Sequence, residues 1–363
     1  MGVMTSCAGS AVAWVESPFQ LLSVIEGAAA GNLPPRLIVF ARGSVGSYRS
    51  LVDLLDIHRV DGLSVVPAPP WRAVRGLVGA TDTFVVGDLF SGAVQSLVVS
   101  TRPTSVTLVD DGSSTLAALE HLGRSSSTLR RPRSTPTTGR ALLGRAAHAL
   151  LRRRSASGRL SLSSGLPVDA VSPVEIPVLR HAFSWARDVE FGWLPPRTPV
   201  IVLGSALAAD GLISEAAYHR WLRDQLGAGA GADLAGADLG GAPVFFAHRR
   251  ESPSVARLVR SLGGSVATTA GLPIELIAHR TSPSTRFVTL PSTTVLTLRS
   301  ISPSTRVECT SVPADWWMPG APASMRALAE TIADSGVRAC THPDLASGER
   351  AHHTASHELR FHR

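Results

Sequence analysis

The chain has 363 residues, 44% of them hydrophobic, and a formal charge of +7 in which all 35 basic residues are arginine. That length suits two ordinary domains with real cores, and no apolar run approaches the roughly 18–20 residues of a membrane-crossing helix. Three widely spaced cysteines, Cys7, Cys309 and Cys340, argue against a disulfide framework and for a reducing compartment, and the N-terminus reads without a signal peptide, so a cytoplasmic location is expected.

Strands and helices alternate from the start. Ala11-Val15 reads as a strand and Pro18-Gly27 as a helix entered through Ser17. Arg36-Phe40 is a second strand, Ser47-Leu55 a helix, Leu63-Val66 and Thr83-Val86 further strands, and Ala93-Ser100 helical or extended. Val106-Val109 is a strand that runs into Asp110-Asp111-Gly112. Such alternation predicts an α/β fold with a mostly parallel sheet and helices on its faces. From His121 to Val168 the chain carries ten arginines and no acid. This basic insertion, 121–168, reads as a mobile loop with weak affinity for an anionic membrane surface, with a helix over Gly139-Arg152. It has no interleaved aromatics, so no nucleic-acid role is expected.

A second α/β unit follows Leu194-Pro195-Pro196. Val200-Leu203 is a strand, Ser214-Leu226 a helix, Gly227-Gly241 a flexible Gly/Ala loop, and Val244-Ala247 a strand. Ser252-Leu262 is a helix with Pro253 in its first turn, Ile274-His279 is a short helix, Phe287-Leu290 a strand, and Ser292-Leu298 and Ala323-Asp334 are helices. Thr341-Arg363 reads as a disordered polar tail. The expected division is a first Rossmann-like domain over 1–176, a second over 195–340, and a tail over 341–363. The strand ends of the two face a cleft, a preferred place for nucleotide-bearing ligands. Neither G-x-G-x-x-G nor G-x-x-x-x-G-K-[ST] occurs, which disfavours NAD enzymes and P-loop NTPases.

Chemistry concentrates where strands end, because ligands of open α/β sheets bind there. Asp110 and Asp111 are placed for acid–base work, or cap the helix that begins near Ser114. His248-Arg249-Arg250-Glu251 follows the Val244 strand and suits a bound phosphate, since arginine gives bidentate donors and histidine a proton. Ser292, Thr293 and Thr294 open a helix whose N–H groups and dipole favour anions. Gly204-Ser205 allows close approach of a nucleotide. Glu275 is a lone acid able to accept from two ribose hydroxyls, or an ordinary first-turn acid. Ser17 and Gln20 either cap the first helix or contact a sugar. His353 and His357 have helical metal-ligand spacing, but they lie in the polar tail with no carboxylates, so no metal site is expected.

These segments, in this order, resemble bacterial sialyltransferases and polysialyltransferase-like proteins of the two-domain GT-B type. Ser17-Pro18-Phe19-Gln20-Leu21-Leu22 is similar to the family's first-strand motif and Asp110-Asp111-Gly112 to its acidic-acidic-Gly motif. Gly204-Ser205, with Asp210-Gly211 and the helix carrying Tyr218 and Trp221, resembles the opening of its nucleotide domain. His248-Arg249-Arg250-Glu251, Leu272-Pro273-Ile274-Glu275 and Pro291-Ser292-Thr293 complete the set. The resemblance spans about Ala11 to Leu298, without the basic insertion. It implies an acceptor-side first domain and a nucleotide-sugar-binding second domain. It also implies an inverting, metal-free and cofactor-free transferase that moves sialic acid or a related nonulosonate from CMP to a glycan or glycolipid hydroxyl. Asp111 would be the base, His248 would act on the leaving phosphate, Ser292, Thr293 and Arg249 would hold that phosphate, and Glu275 the ribose. Asp110 would hold the turn, and Gly112, Arg250 and Thr294 complete the candidate site. The run Ser-Thr-Thr departs from the family, where the pair ends in a small residue. A UDP- or GDP-sugar transferase and a non-catalytic polysaccharide-binding relative are the alternatives.

Overall fold

The structure is a computed structural model that describes residues 9–43, 48–131, 137–166, 175–190, 198–228, 242–248, 250–269, 271–302 and 305–339. Arg249, the Leu194-Pro195-Pro196 linker, residues 229–241 of the Gly/Ala loop and the Thr341-Arg363 tail lie outside the described residues.

The first unit runs β1 (Ser10–Val15), α1 (Pro18–Ala29), β2 (Arg36–Ala41), α2 (Arg49–Ile57), β3 (Leu63–Pro67), α3 (Trp71–Ala80), β4 (Thr83–Val86), α4 (Gly92–Thr101), β5 (Ser105–Val109), α5 (Ser113–Gly123), α6 (Thr138–Ala156), β6 (Leu160–Ser164), β7 (Val178–Arg180) and α7 (Ser184–Asp188). Its sheet has the order β3-β2-β1-β4-β5-β6-β7, and every pair is parallel. Parallel strands are covered on both faces, so they read as continuous apolar runs. In β1 the pleat sends Val12 and Trp14 into one core cluster and Ala11, Ala13 and Val15 into the other.

The second unit runs β8 (Val200–Leu203), α8 (Ala206–Ala209), α9 (Glu215–Ala228), β9 (Val244–Phe246), α10 (Pro253–Ser261), β10 (Ser265–Ala267), α11 (Ile274–Ala278), β11 (Arg286–Thr289), α12 (Thr294–Ile301), β12 (Arg306–Cys309) and α13 (Ala323–Ala339). Its sheet, β10-β9-β8-β11-β12, is also all parallel. The chain is thus α/β with two Rossmann-like units, consistent with a two-domain GT-B architecture. Strand order reverses between β1 and β4 and between β8 and β11, the switch points at which such sheets take ligands.

The units meet through α11 and α12. Leu272, Leu276 and Ile301 join the core cluster of Leu21 and Leu22 in the first unit. Leu296 packs against the cluster on the other face of the same sheet. A hydrogen bond from Ser300 Oγ to the Gly165 carbonyl, 3.3 Å, adds to the contact.

The arginine-rich segment differs from expectation in part: the expected helix over Gly139-Arg152 is present as α6, but among the described residues the segment is built into the domain, with α6 packed against α4 and β6 the sixth strand of the first sheet. The physical reason is a buried stripe, Ala147, His148 and Leu151, that the arginines flank rather than interrupt. The strand Leu160–Ser164 is masked in the sequence by serines, of which Ser163 and Ser164 are fully buried. β7 extends the first sheet beyond residue 176; its three residues are too few to leave a pattern.

α7 is tied to α1 by one carboxylate. Glu26 is fully buried and accepts the backbone N–H of Ala186 at 2.6 Å and of Trp185 at 3.3 Å. Burial pushes its pKa up to about 7 against the pull of those two bonds. The folded chain therefore holds a proton there that the unfolded chain has released, and stability falls as pH climbs through about 5 to 7. Glu26→Gln is expected to flatten that limb, read as urea midpoints at pH 5.5 and 8. Glu26→Ala is expected to cost about 1–3 kcal/mol at either pH, by orphaning two buried donors.

Candidate functional site

Register sets the first wall. One step beyond the last paired residues of β2, β1 and β5 stand Arg42, Glu16 and Asp110; on the same carboxyl edge Asp88 lies two steps beyond Val86 of β4, and Ser164 is the last paired residue of β6. Asp110 is fully buried; it accepts from Ser164 Oγ at 2.6 Å and from the Gly165 N–H at 2.8 Å, and His181 Nε2 lies 3.8 Å away. Burial lifts its pKa to about 6, opposed by those two bonds and by Arg180. Burial, with Arg180, presses His181 down to about 4. Asp110 thus ties β5 to β6.

Asp111 is half-buried, and its backbone N–H donates to Thr115 Oγ1 at 2.7 Å. Gly112 follows with φ +63° and ψ −134°, a region essentially reserved for glycine. A Cβ at Gly112 would lie 2.5 Å from Thr293 Oγ1 in the second unit. The acidic turn and the hydroxyl-rich turn are therefore neighbours.

The second wall is the carboxyl edge of β8, β9 and β11. Thr293 is the N-cap of α12 yet makes no side-chain cap bond, and the backbone N–H of Val295 reaches the Ser292 carbonyl at 3.0 Å instead. Ser292, Thr293 and Thr294 are all half-buried. Ser205 caps α8, accepting from the Leu207 N–H at 3.2 Å. His248 is half-buried, and its Nδ1 accepts from the Arg250 N–H at 3.3 Å. An imidazole that accepts on Nδ1 carries its hydrogen on Nε2. The Arg250 side chain turns away to Asp210, 2.7 Å.

The second wall is organised by Glu251, the last residue of the His248-Arg249-Arg250-Glu251 motif, whose role is not visible in the sequence. Its carboxylate accepts from Tyr218 Oη, from the His248 N–H at 2.6 Å and from the Ser205 N–H at 3.4 Å. Gly204 gives it room: a Cβ there would strike Glu251 Oε2 and come within 2.6 Å of the His248 nitrogen. Burial raises the carboxyl above its ordinary range, against these three donors. Glu251→Gln replaces one acceptor with a donor facing a donor. The expected loss is about 1–3 kcal/mol of stability, read by urea unfolding.

Other candidates face inward. Ser17 Oγ accepts from the Gln20 N–H at 3.2 Å, and Gln20 Oε1 accepts from the Glu16 N–H at 2.8 Å. Glu275 is 4% exposed and accepts from Thr297 Oγ1 at 2.7 Å, so it stands behind α12. Burial raises its pKa, with the Thr297 bond opposing. Among the described residues no group of three His, Cys, Asp or Glu side chains could hold a metal ion, and no helix is long and apolar enough to cross a membrane.

Glu16 and Asp88 have no role in the sequence reading, although Glu16 directly follows a buried strand and Asp88 follows one after Gly87, close to the signal that singles out Asp110. Glu16 Oε1 accepts from Trp14 Nε1, Arg42 Nη1 and Ser91 Oγ at 2.9, 3.0 and 2.6 Å. Burial alone would raise this carboxyl, but Ser91, Trp14 and Arg42 together hold it below its ordinary range.

No protein-family model matches the chain, and no curated protein matches it. Among solved structures it is similar to a glycosyltransferase from Rickettsia africae ESF-5, with 10% identity and a TM-score of 0.40 over 92% of this chain and 89% of that one. A likeness of that size argues for neither fold nor activity.

Proposed function

We propose that the chain is an inverting glycosyltransferase that moves sialic acid or a related nonulosonate from its CMP-activated donor to a glycan or glycolipid hydroxyl. The observation that supports this best is the approach of Gly112 to Thr293, which sets an acid-bearing strand end against a hydroxyl-rich helix start. In the proposed reaction Asp111 takes the proton of the acceptor hydroxyl as its oxygen bonds to the anomeric carbon. The bond from that carbon to the phosphate oxygen breaks, and its electron pair leaves with CMP. Positive charge grows on the sugar ring and negative charge on the phosphate. His248, with its hydrogen on Nε2, donates to that phosphate, and the Ser292 and Thr293 hydroxyls with the α12 dipole hold it. Arg249 joins them by its place in the motif. Histidine, arginine and the helix start supply the positive field, so no metal is invoked.

Nucleotide preference tests the donor. CMP at about 100 times its Kd stabilises a specific binder by about 2.7 kcal/mol, which raises the melting temperature by several degrees. UDP and GDP are expected to leave it unmoved. A shift with UDP or GDP and none with CMP would move the donor to another nucleotide class.

A further inference from the structure

A cavity of about 480 Å³ opens at the β1/β4 switch point. Its charged lining is Arg42, Arg130, Arg131 and Arg140 against Glu16 and Asp88. Both carboxylates are already answered inside the protein. Asp88, 1% exposed, accepts from the Phe90 N–H at 2.8 Å and from Arg131 Nη2 at 2.6 Å. Glu16 is held by Arg42, Trp14 and Ser91. The lining is therefore positive on balance.

The arginines are also pre-set. Arg140 donates to Gln95 Oε1 at 2.9 Å and to the Phe90 carbonyl at 2.8 Å, which fixes its plane. The Arg42 and Arg131 side chains are held by their carboxylates yet remain 55% and 54% exposed. Arg130 is exposed beside them. A planar guanidinium carries five N–H donors in a fork that matches carboxylate and phosphate oxygens. β5, which runs into the acidic turn, is the neighbour of β4 in the sheet, so the cavity at the end of β1 and β4 lies on the same carboxyl edge as that turn.

We infer that this cavity is a subsite for an anionic group, a carboxylate or a phosphate monoester, that the acceptor carries close to the hydroxyl it offers. Arg42 and Arg130 contact the anion, and Arg131 and Arg140 form the pre-set wall behind it. Arg42 and Arg131 are already matched by Glu16 and Asp88, so the surplus positive charge of the lining, from Arg130 and Arg140, is what a neutral sugar would leave unanswered. Calling the ligand an acceptor rests on the transferase reading; the anion site itself does not.

The test is calorimetric binding to the full chain with no donor present. Two probe pairs differ only in charge: the methyl glycoside of N-acetylneuraminic acid against its methyl ester, and glucose 6-phosphate against glucose. The charged member of at least one pair is expected to bind about tenfold more tightly or better, and the responding pair identifies the group. Arg130→Gln, which touches neither carboxylate, is expected to weaken that preference. The Arg42→Gln/Arg130→Gln variant, checked for folding by thermal unfolding, is expected to abolish it, and Asp111→Asn to keep it. Equal binding of charged and neutral members, or a preference unchanged in both arginine variants, overturns the inference. The CMP thermal shift reports the donor side separately. A CMP response without charge preference removes only the subsite, and charge preference without a CMP response removes only the transferase reading.

Discussion

Asp111→Asn is expected to lower the rate of sugar transfer by about 10²–10⁴-fold, the range for losing a positioned general base, while CMP binding stays as it was. The amide is nearly the same size and cannot take a proton. The turn is also held by the Asp111 backbone N–H, bonded to Thr115 Oγ1, and by the neighbouring Asp110, which carries the tie to β6. A structural role for Asp111 would show as a lower melting temperature and weakened CMP binding together. A catalytic role shows in kcat alone. The same split separates the two acids: Asp110→Asn should lower the melting temperature, because its amide NH₂ would meet a donor at Ser164 or Gly165.

Gly112→Ala is expected to cost about 1–3 kcal/mol from backbone strain alone, and more because its methyl would meet Thr293 Oγ1 at 2.5 Å. The strain is local to the first unit, whereas the collision involves both. A double-mutant cycle separates them. In a Thr293→Ala background the hydroxyl is gone, and Gly112→Ala should cost less than in the wild type, with a coupling of about 0.5 kcal/mol or more. Urea unfolding of the four proteins measures it. An equal cost in both backgrounds would mean that the two turns do not meet in solution.

Much of this arrangement is legible in sequence because parallel strands bury both faces. Val200-Leu203 is a continuous apolar run and Val106-Val109 is interrupted only by Thr107, and the residues that follow must sit on the carboxyl edge. Hence Asp110-Asp111-Gly112 and Gly204-Ser205 could be placed before the fold was known. What escaped did so for identifiable reasons. β6 hides because its buried positions include serine, whose hydroxyl is needed to satisfy Asp110. α3 hides because only Val74 and Val78 of its ten residues are buried, and Gly76 and Gly79 interrupt the run. The cavity at β1 and β4 could not be assembled from spacing. Glu16, Asp88 and Arg131 are far apart in the chain, and only the parallel order β1-β4-β5 brings them to one edge. Glu251 is the reverse case. It stood within a quoted motif, but its three donors come from Tyr218, Ser205 and His248, and no local pattern announces a side chain that faces inward to hold a loop.

The most direct measurement is release of CMP from CMP-sialic acid and from other CMP-nonulosonates, with a mixed set of neutral and acidic glycan acceptors, for the wild type beside Asp111→Asn and His248→Ala. Acceptor-dependent release by the wild type, with both variants down by about a hundredfold or more, is the predicted result. No release with any CMP-nonulosonate, together with no stabilisation by CMP, would contradict it.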